Sequence, residues 1–93
     1  MAFYSLTLSL NPGLGINDVQ QVLGAFATTY YRIAPNTWII LAHEYENAGA
    51  WWERLRHLVH PSGTMFICRL DPGDRSGWID KKFWEWLEVN GGT

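Results

Sequence analysis

The residue types that most often carry catalysis or bind metals are few in this chain, which has three histidines and one cysteine. His57 and His60 lie three residues apart near the end of a predicted helix, and His43 belongs to a different element. A zinc site needs three or four imidazole or thiolate ligands at a recognisable spacing, and no His-Glu-x-x-His motif or cysteine pair accompanies these histidines. We therefore predict surface or helix-capping histidines and no metal site.

The cysteine, Cys68, lies in the middle of a predicted strand. A nucleophilic thiol needs surroundings that favour the thiolate, such as a helix N-terminus, and the sequence places no helix start beside it, so we predict that Cys68 packs in the core. A single cysteine cannot form an internal disulfide, and residues 1–10 lack the basic segment of a secretory signal. No apolar run approaches the roughly twenty residues of a membrane span. We expect a cytoplasmic protein that does not contact the membrane.

Two aspartates follow the last predicted strand, in the sequence Asp71-Pro72-Gly73-Asp74. Their carboxylates are the oxygen ligands that divalent cations prefer, but the same four residues are strong turn formers, and we favour the turn. The stretch Gly13-Leu14-Gly15 matches neither glycine-rich phosphate-binding motif. The sequence therefore predicts no cofactor and no catalytic residue, and enzymatic activity is left open with a preference against it.

Aromatic residues are the chain's departure from average composition, with six tryptophans, four tyrosines and four phenylalanines among 93 residues. The densest run is residues 77–87, GWIDKKFWEWL. On a helix these aromatic side chains span a wider arc than one small core can bury, so part of the run is expected to meet a partner. We predict a partner surface that includes Trp78, Trp84 and Trp86.

A second candidate surface is the polar face of the middle predicted helix, around Arg54 and His57. Together with Lys81 and Lys82, its arginines could form a basic patch beside tryptophans, which suits single-stranded nucleic acid. However, glutamates dilute the patch, and the formal net charge of the chain is −2. This balance removes the general attraction on which non-specific nucleic-acid binding depends. Nucleic acid therefore remains possible but disfavoured, and we expect a protein partner.

The elements that must position these residues follow from hydrophobic periodicity. Period-two alternation and β-branched or aromatic residues predict strands, helical spacing predicts helices, and Asn17 is the expected cap of the first helix. An Asn90-Gly91-Gly92 signal should end the last helix. The predicted strands are residues 2–10, 30–33, 37–42 and 64–70, and the predicted helices are residues 18–28, 48–59 and 80–89.

This order predicts an α+β, ferredoxin-like β-α-β-β-α-β domain over residues 1–93: a four-stranded antiparallel sheet, two helices on one face, and a short C-terminal helix in an aromatic appendage at about 77–90. Two helices cover only one face of such a sheet. The other face, which carries Phe3, Ser5, Thr7 and Ser9, should meet water or another chain. We therefore predict a homodimer that uses the open face, the fourth strand or the C-terminal segment.

Three stretches resemble the small prokaryotic proteins labelled SinR-like, which are distinct from the helix-turn-helix regulator of that name. They are residues 37–40 (TWII), residues 51–70 (WWERLRHLVHPSGTMFICRL) and residues 77–87 (GWIDKKFWEWL). Through them the chain is similar to the VapD toxins and to the smaller of the two CRISPR spacer-acquisition proteins. The resemblance implies a ferredoxin-like homodimer in a prokaryotic defence, toxin-antitoxin or mobile-element setting.

Two positions depart from that superfamily. Its nuclease members carry an aspartate near the end of the first strand, where it is thought to hold a divalent metal in the dimer cleft. An ungapped reading places Leu8 there, and residues 2–10 contain no acid. Gly63 stands where relatives tend to show an acidic residue. Because leucine offers a metal no oxygen ligand, the nuclease activity is not carried over.

We therefore predict a non-catalytic homodimeric module that binds another protein as a regulatory or inhibitory component. Two alternatives stay open. One is a metal-dependent endoribonuclease of the VapD type that recruits acids from elsewhere, such as Asp71 and Asp74. The other is an RNA-binding ferredoxin-like module that uses the open sheet face and Arg69, although the fourth strand lacks the aromatic pattern of such modules.

Overall fold

A computed structural model describes residues 1–91 of the chain. Its four strands form one antiparallel sheet in the order β2-β3-β1-β4, which is the ferredoxin-like order. The α+β prediction is confirmed. The elements are β1 (Ala2–Leu8), α1 (Ile16–Phe26), β2 (Thr29–Ala34), β3 (Thr37–Ala42), α2 (Ala48–Leu55), a 3₁₀ turn (Arg56–Leu58), β4 (Met65–Leu70) and α3 (Lys81–Val89).

The main core lies between one face of the sheet and the helices α1 and α2, as predicted. Alternate residues of β1 and β3 point toward these helices, and the two largest side chains, Trp38 and Trp51, are fully buried there. Burial of apolar side chains of this size is the main stabilising contribution to a domain of this length. The core residues are Ala2, Tyr4, Leu6, Leu8, Val19, Leu23, Trp38, Ile40, Ala42, Trp51, Leu55 and Leu58.

Helix α1 begins two residues before its predicted start. Gly15 is its N-cap, and the Asp18 carboxylate accepts a 2.7 Å hydrogen bond from the Gly15 N–H. Asn17, the predicted cap, therefore lies inside the first turn. The sequence contains both an Asn17–Gln20 and a Gly15–Asp18 pair at capping-box spacing, and the earlier pair forms the cap. The helix ends at Phe26, where the Ala27 N–H bonds to the Leu23 carbonyl.

Helix α2 is shorter than the predicted helix of residues 48–59. The Asn47 side chain caps it by accepting a 2.8 Å hydrogen bond from the Ala50 N–H. Its α-helical part ends at Leu55, and the chain continues as the 3₁₀ turn before Val59 forms an isolated bridge with Leu10. This bridge joins the end of the helical segment to the chain that follows β1.

The second face of the sheet carries a smaller core under α3. Phe83 and Leu87 are buried against Phe3, Ile39 and Leu41, with six half-buried apolar side chains packed around them. The sequence predicted that this face is open. Instead, α3 covers part of it, and Phe3 lies beneath the helix. α3 is the third layer of the domain. The half-buried side chains are those of Tyr31, Ile33, Leu70, Ile79, Trp84 and Trp86.

Asp80 fixes the start of α3. Its carboxylate accepts the Lys82 N–H at 2.9 Å and the Tyr31 hydroxyl at 2.8 Å. The Lys82 N–H first, and then the Tyr31 hydroxyl, hold the pKa of Asp80 below its usual value, while the same contact raises the pKa of Tyr31. At the other end, Gly91 adopts a φ of +80°, the left-handed conformation that terminates helices, and Gly92 lies outside the described residues.

The uncovered half of the second face is small and mostly polar. Ser5 and Thr7 are half-buried there, and the neighbouring β4 contributes Phe66 and Cys68, which are both exposed. Ser9, expected on this face, lies beyond β1, where its backbone bonds to Thr64 and His60. Over residues 1–91, none of the helices has the length and apolar character needed to cross a membrane.

Candidate functional site

Arg54, one of the predicted surface residues, is engaged within the domain. Its guanidinium forms an ion pair with Glu46 at 2.9 Å and lies over the rings of Phe26 and Trp51, at 4.2 Å and 4.9 Å from their centroids. Both partners of the ion pair are mostly buried. Arg54 therefore ties α2 to α1 and to the segment that follows β3.

His57, predicted beside Arg54, lies on the surface in a different environment. It lines a groove of about 740 Å³ between the end of α2 and the start of β4. Trp52 forms an apolar wall of this groove and is 44% exposed. Arg56 adds a guanidinium that pairs with Glu53 at 3.5 Å, and His60 adds an imidazole. We call this the β4 groove; its lining residues are Trp52, Arg56, His57, Val59, His60, Pro61, Gly63, Thr64 and Met65.

The histidines do not come together. His60 accepts a hydrogen bond from the Ser62 N–H at its Nδ1 atom, and His43 stacks on Tyr45 with 5.1 Å between ring centroids. Within residues 1–91, no group of three histidine, cysteine or acidic side chains has the proximity to hold a metal ion. These placements agree with surface and turn-forming roles.

The three tryptophans of the predicted partner surface occupy different environments. Trp86 packs on the sheet, where its indole N–H points to the Thr29 hydroxyl at 3.3 Å and its ring contacts Phe3 at a centroid distance of 6.1 Å. Trp84 is half-buried, and the Arg75 guanidinium lies 5.5 Å from its ring centroid. Trp78 is fully exposed. Of the three, Trp78 has the accessible indole that a partner could contact.

Trp78 belongs to the loop that connects β4 to α3, residues 71–80, which crosses the second face of the sheet. An apolar cavity of about 320 Å³ lies under this loop, between the sheet and α3. Ile39 and Phe83 form part of its apolar wall. The charged residues Asp71, Asp74 and Arg75 also line it. We call this loop with its cavity the Trp78 surface; the cavity also contacts Ile33, Leu70, Pro72, Ser76, Ile79, Trp84 and Leu87.

Asp71 and Asp74 form the predicted turn. The Asp71 carboxylate accepts the Gly73 N–H at 3.0 Å, and the Asp71 carbonyl accepts the Asp74 N–H at 3.3 Å. This is the local bonding by which aspartate stabilises turns. Both side chains are exposed.

Strand β4 differs from its prediction at two residues. Cys68 is exposed rather than packed in the core, because β4 is an edge strand and Cys68 points to the uncovered half of the second face. Arg69 is opposite Tyr4, so its side chain lies on the helix-bearing side of the strand. An RNA-binding surface on the open sheet face would therefore not contain Arg69. The ferredoxin-like order itself, which puts the fourth strand at an edge, is the signal that could have revealed the exposure of Cys68.

The two positions that depart from the nuclease pattern are both structural. Leu8 is fully buried in the main core. A Cβ atom at Gly63 would lie 2.7 Å from the Ser9 Cβ, which is closer than real contacts allow, and 3.1 Å from the His60 Cβ, which is a tight contact. An acidic side chain fits neither position without rearrangement.

Comparison of the chain with protein-family models, with curated proteins and with solved structures gave no match.

Proposed function

We propose that the protein is a non-catalytic, homodimeric binding module that acts in the cytoplasm by contact with another protein. Its role is that of a regulatory or inhibitory component in a prokaryotic defence, toxin-antitoxin or mobile-element (CRISPR-related) setting, as the resemblance to SinR-like and VapD-like proteins implies. The observation that carries this proposal is the fully exposed Trp78 in a loop that lies over an apolar cavity, with Ser76 and Ile79 of the same loop in the cavity wall.

An exposed indole beside an apolar cavity is typical of a protein-binding surface. Tryptophan is enriched among the few interface residues that dominate binding, because it buries a large rigid area at small entropic cost. The Trp78 surface also carries charges at its edge, where Asp71, Asp74 and Arg75 can provide the polar rim that surrounds an apolar centre. Trp84 lines the cavity, and Trp86 packs α3 on the sheet, whereas Arg54 joins α1 and α2 on the other face.

The first prediction is that Trp78→Ala weakens partner binding and leaves the fold intact, because the side chain makes no buried contact to lose. An interface anchor of this kind contributes about 2 kcal/mol or more, so affinity should fall roughly thirtyfold. The measurement is quantitative mass spectrometry of proteins that the immobilised chain retains from a lysate of its source organism, with circular dichroism as the folding check.

Tyr45→Ala is the matched control, since Tyr45 is also an aromatic residue with 78% exposure but lies after β3, outside the Trp78 surface. A protein retained by the unchanged chain and by the Tyr45 variant, and lost from the Trp78 variant, supports the proposal. Equal retention by all three forms contradicts a role for Trp78.

A further prediction separates binding from nuclease activity: the purified protein should leave single- and double-stranded RNA and DNA intact in Mg²⁺ or Mn²⁺. The reason is that Leu8 and the rest of β1 offer a metal no carboxylate, and Asp71 is engaged in its own turn. Gel analysis of the nucleic acids checks this. Metal-dependent cleavage that disappears in Asp71→Ala or Asp74→Ala would replace the binding module with the endoribonuclease.

A further inference from the structure

The two edges of the sheet differ in how they are protected against pairing with another strand. On β2, the pairing is irregular between Arg32 and Ala34, and the Arg32 guanidinium bonds to the Pro35 carbonyl at 2.8 Å. Bulges, charges and prolines of this kind are the devices by which edge strands avoid association. β4 pairs with β1 in unbroken register and contains no proline, with Arg69 as its one charged residue. β4 is the unprotected edge.

The hydrogen-bonding direction of β4 follows from two bonds of β1. The Ser9 N–H bonds to the Thr64 carbonyl and the Leu8 N–H bonds to the Asn36 carbonyl, so successive residues of this segment alternate between β4 and β3. Because antiparallel ladders alternate in the same way, Phe66, Cys68 and Leu70 bond toward β1. The N–H and C=O groups of Met65, Ile67 and Arg69 therefore point outward, where a further strand can pair. The Arg69 carbonyl also accepts a weak 3.3 Å hydrogen bond from the Cys68 thiol, which such a strand would replace.

A second copy of β4 can pair antiparallel with this edge only in registers that place Met65, Ile67 or Arg69 of one copy opposite one of these residues in the other. Only then do the outward N–H and C=O groups of the two strands meet. In each such register one residue lies opposite its own copy, at the two-fold axis. This residue can be Phe66, Ile67, Cys68 or Arg69. An axis through Arg69 sets like charges directly opposite each other, which destabilises a pair. Three registers remain.

The arginine of the β4 groove favours one of these registers. Arg56 lines the groove with its guanidinium 3.5 Å from the Glu53 carboxylate, and the residues that line the groove include no acid. An axis through Phe66 or Ile67 sets the partner's Arg69 opposite Gly63 or Met65, at the groove that Arg56 lines. An axis through Cys68 instead sets the partner's Asp71 opposite Met65, which brings an acidic turn to the groove.

The same register also suits the apolar side chains. With the axis at Cys68, Phe66 lies opposite the partner's Leu70 on the second face of the sheet. Phe66 is 69% exposed in the single chain, and Leu70 is half-buried. Cross-strand pairs of aromatic and aliphatic residues are stabilising, and the two-fold axis provides this pair twice.

We propose that two copies of this chain join edge to edge through β4, in the antiparallel register centred on Cys68, to form a continuous eight-stranded sheet. The inference rests on the homodimer of the proposed function and specifies its surface and register. The acidic turn Asp71–Asp74 of each copy then faces the β4 groove of the other. The Trp78 surface belongs to the loop that begins with this turn.

The native cysteine makes the register testable. At an axis through Cys68 the two residues form a non-hydrogen-bonded pair with about 4.5 Å between Cα atoms, within the range that disulfides span. Mild oxidation, or a short bifunctional thiol reagent, should therefore convert the dimer to a covalent form on a non-reducing gel. The matched control is the double variant Phe66→Cys, Cys68→Ser: its thiol is also on the exposed side of β4, but the two copies lie about four residues apart in this register. Because Phe66 is itself a contact of this register, light scattering must show that the control is still a dimer at the concentration used for cross-linking.

The outcomes separate the inference from the proposed function. Cross-linking of the unchanged chain, without cross-linking of the control, supports the Cys68 register. Cross-linking of the control alone, or of neither protein while light scattering coupled to gel filtration shows a dimer, overturns the register and leaves the homodimer standing. A monomer at tens of micromolar overturns both.

A charge variant tests the groove independently. Asp71→Asn keeps an oxygen that can accept the Gly73 N–H, and so keeps the turn, but removes the charge that should face the groove of the partner. Loss of a close charge pair should raise the dimer dissociation constant about tenfold at low salt. An unchanged dissociation constant contradicts the assigned contact between this turn and the groove.

Discussion

Replacing Leu8 with aspartate should unfold the protein rather than create a metal site, although the proposed resemblance to VapD-like nucleases would place their metal-binding acid at this position. Leu8 is fully buried in the main core. Loss of a buried leucine side chain costs about 2–5 kcal/mol, and an unpaired carboxylate in an apolar core adds several kcal/mol more. This sum reaches the whole free energy of unfolding of a small domain, about 5–15 kcal/mol.

Urea denaturation and circular dichroism of Leu8→Asp measure this effect. The neighbouring variant Thr7→Asp is the control, because Thr7 is half-buried on the opposite face of β1, where its hydroxyl lies 3.2 Å from that of Thr37. Its cost should stay near 1 kcal/mol, the span of strand propensities. A folded Leu8 variant that binds Mn²⁺ in calorimetry would show that this position can still serve as a metal site.

The reason for so large an effect is that the main core contains no charged side chain to pair with an acid. Its residues are all apolar or aromatic, and the buried indole N–H groups of Trp38 and Trp51 are neutral donors. The first-strand leucine is therefore part of how this chain folds, whereas an acid at that place must have water or a metal beside it.

The fold was predictable from the sequence because the spacing of apolar residues matches a strand or a helix in each element. Alternation in residues 2–10 identified β1, and the apolar stripe around Trp51 and Leu55 identified α2. The cap of α1 was assigned wrongly because Gly15–Asp18 and Asn17–Gln20 have the same spacing, and only the path of the loop decides between them. Local sequence thus determined the elements better than their ends.

The second core was not predicted, although β3 contained a signal for it. Residues Trp38–Ala42 are apolar at every position and buried on both faces of the sheet, and a strand of this kind needs a cover on each side. Periodicity reports which side of an element is apolar but not what lies against it. The same limit explains Cys68, whose exposure depends on the place of β4 in the sheet.

Phe83→Ala should strongly destabilise the protein, because α3 is a structural layer and Phe83 is buried in the second core against Ile39 and Leu41. Removing a buried phenylalanine side chain costs about 3–5 kcal/mol, a large part of the stability of a chain this short. Its ring also contacts Tyr31 at 5.5 Å and Trp86 at 6.0 Å between centroids, and these contacts are lost with it. The midpoint of urea unfolding, followed by tryptophan fluorescence, measures the effect.

Trp78→Ala is the comparison that gives this result its meaning, since it removes a larger aromatic side chain from the neighbouring loop. Because Trp78 is fully exposed, its loss should change the free energy of unfolding by less than about 0.5 kcal/mol. The two variants should therefore separate completely: Phe83 affects folding and Trp78 affects binding. If Phe83→Ala unfolds at the same urea concentration as the unchanged chain, α3 does not hold the sheet, and the second face is open to a partner after all.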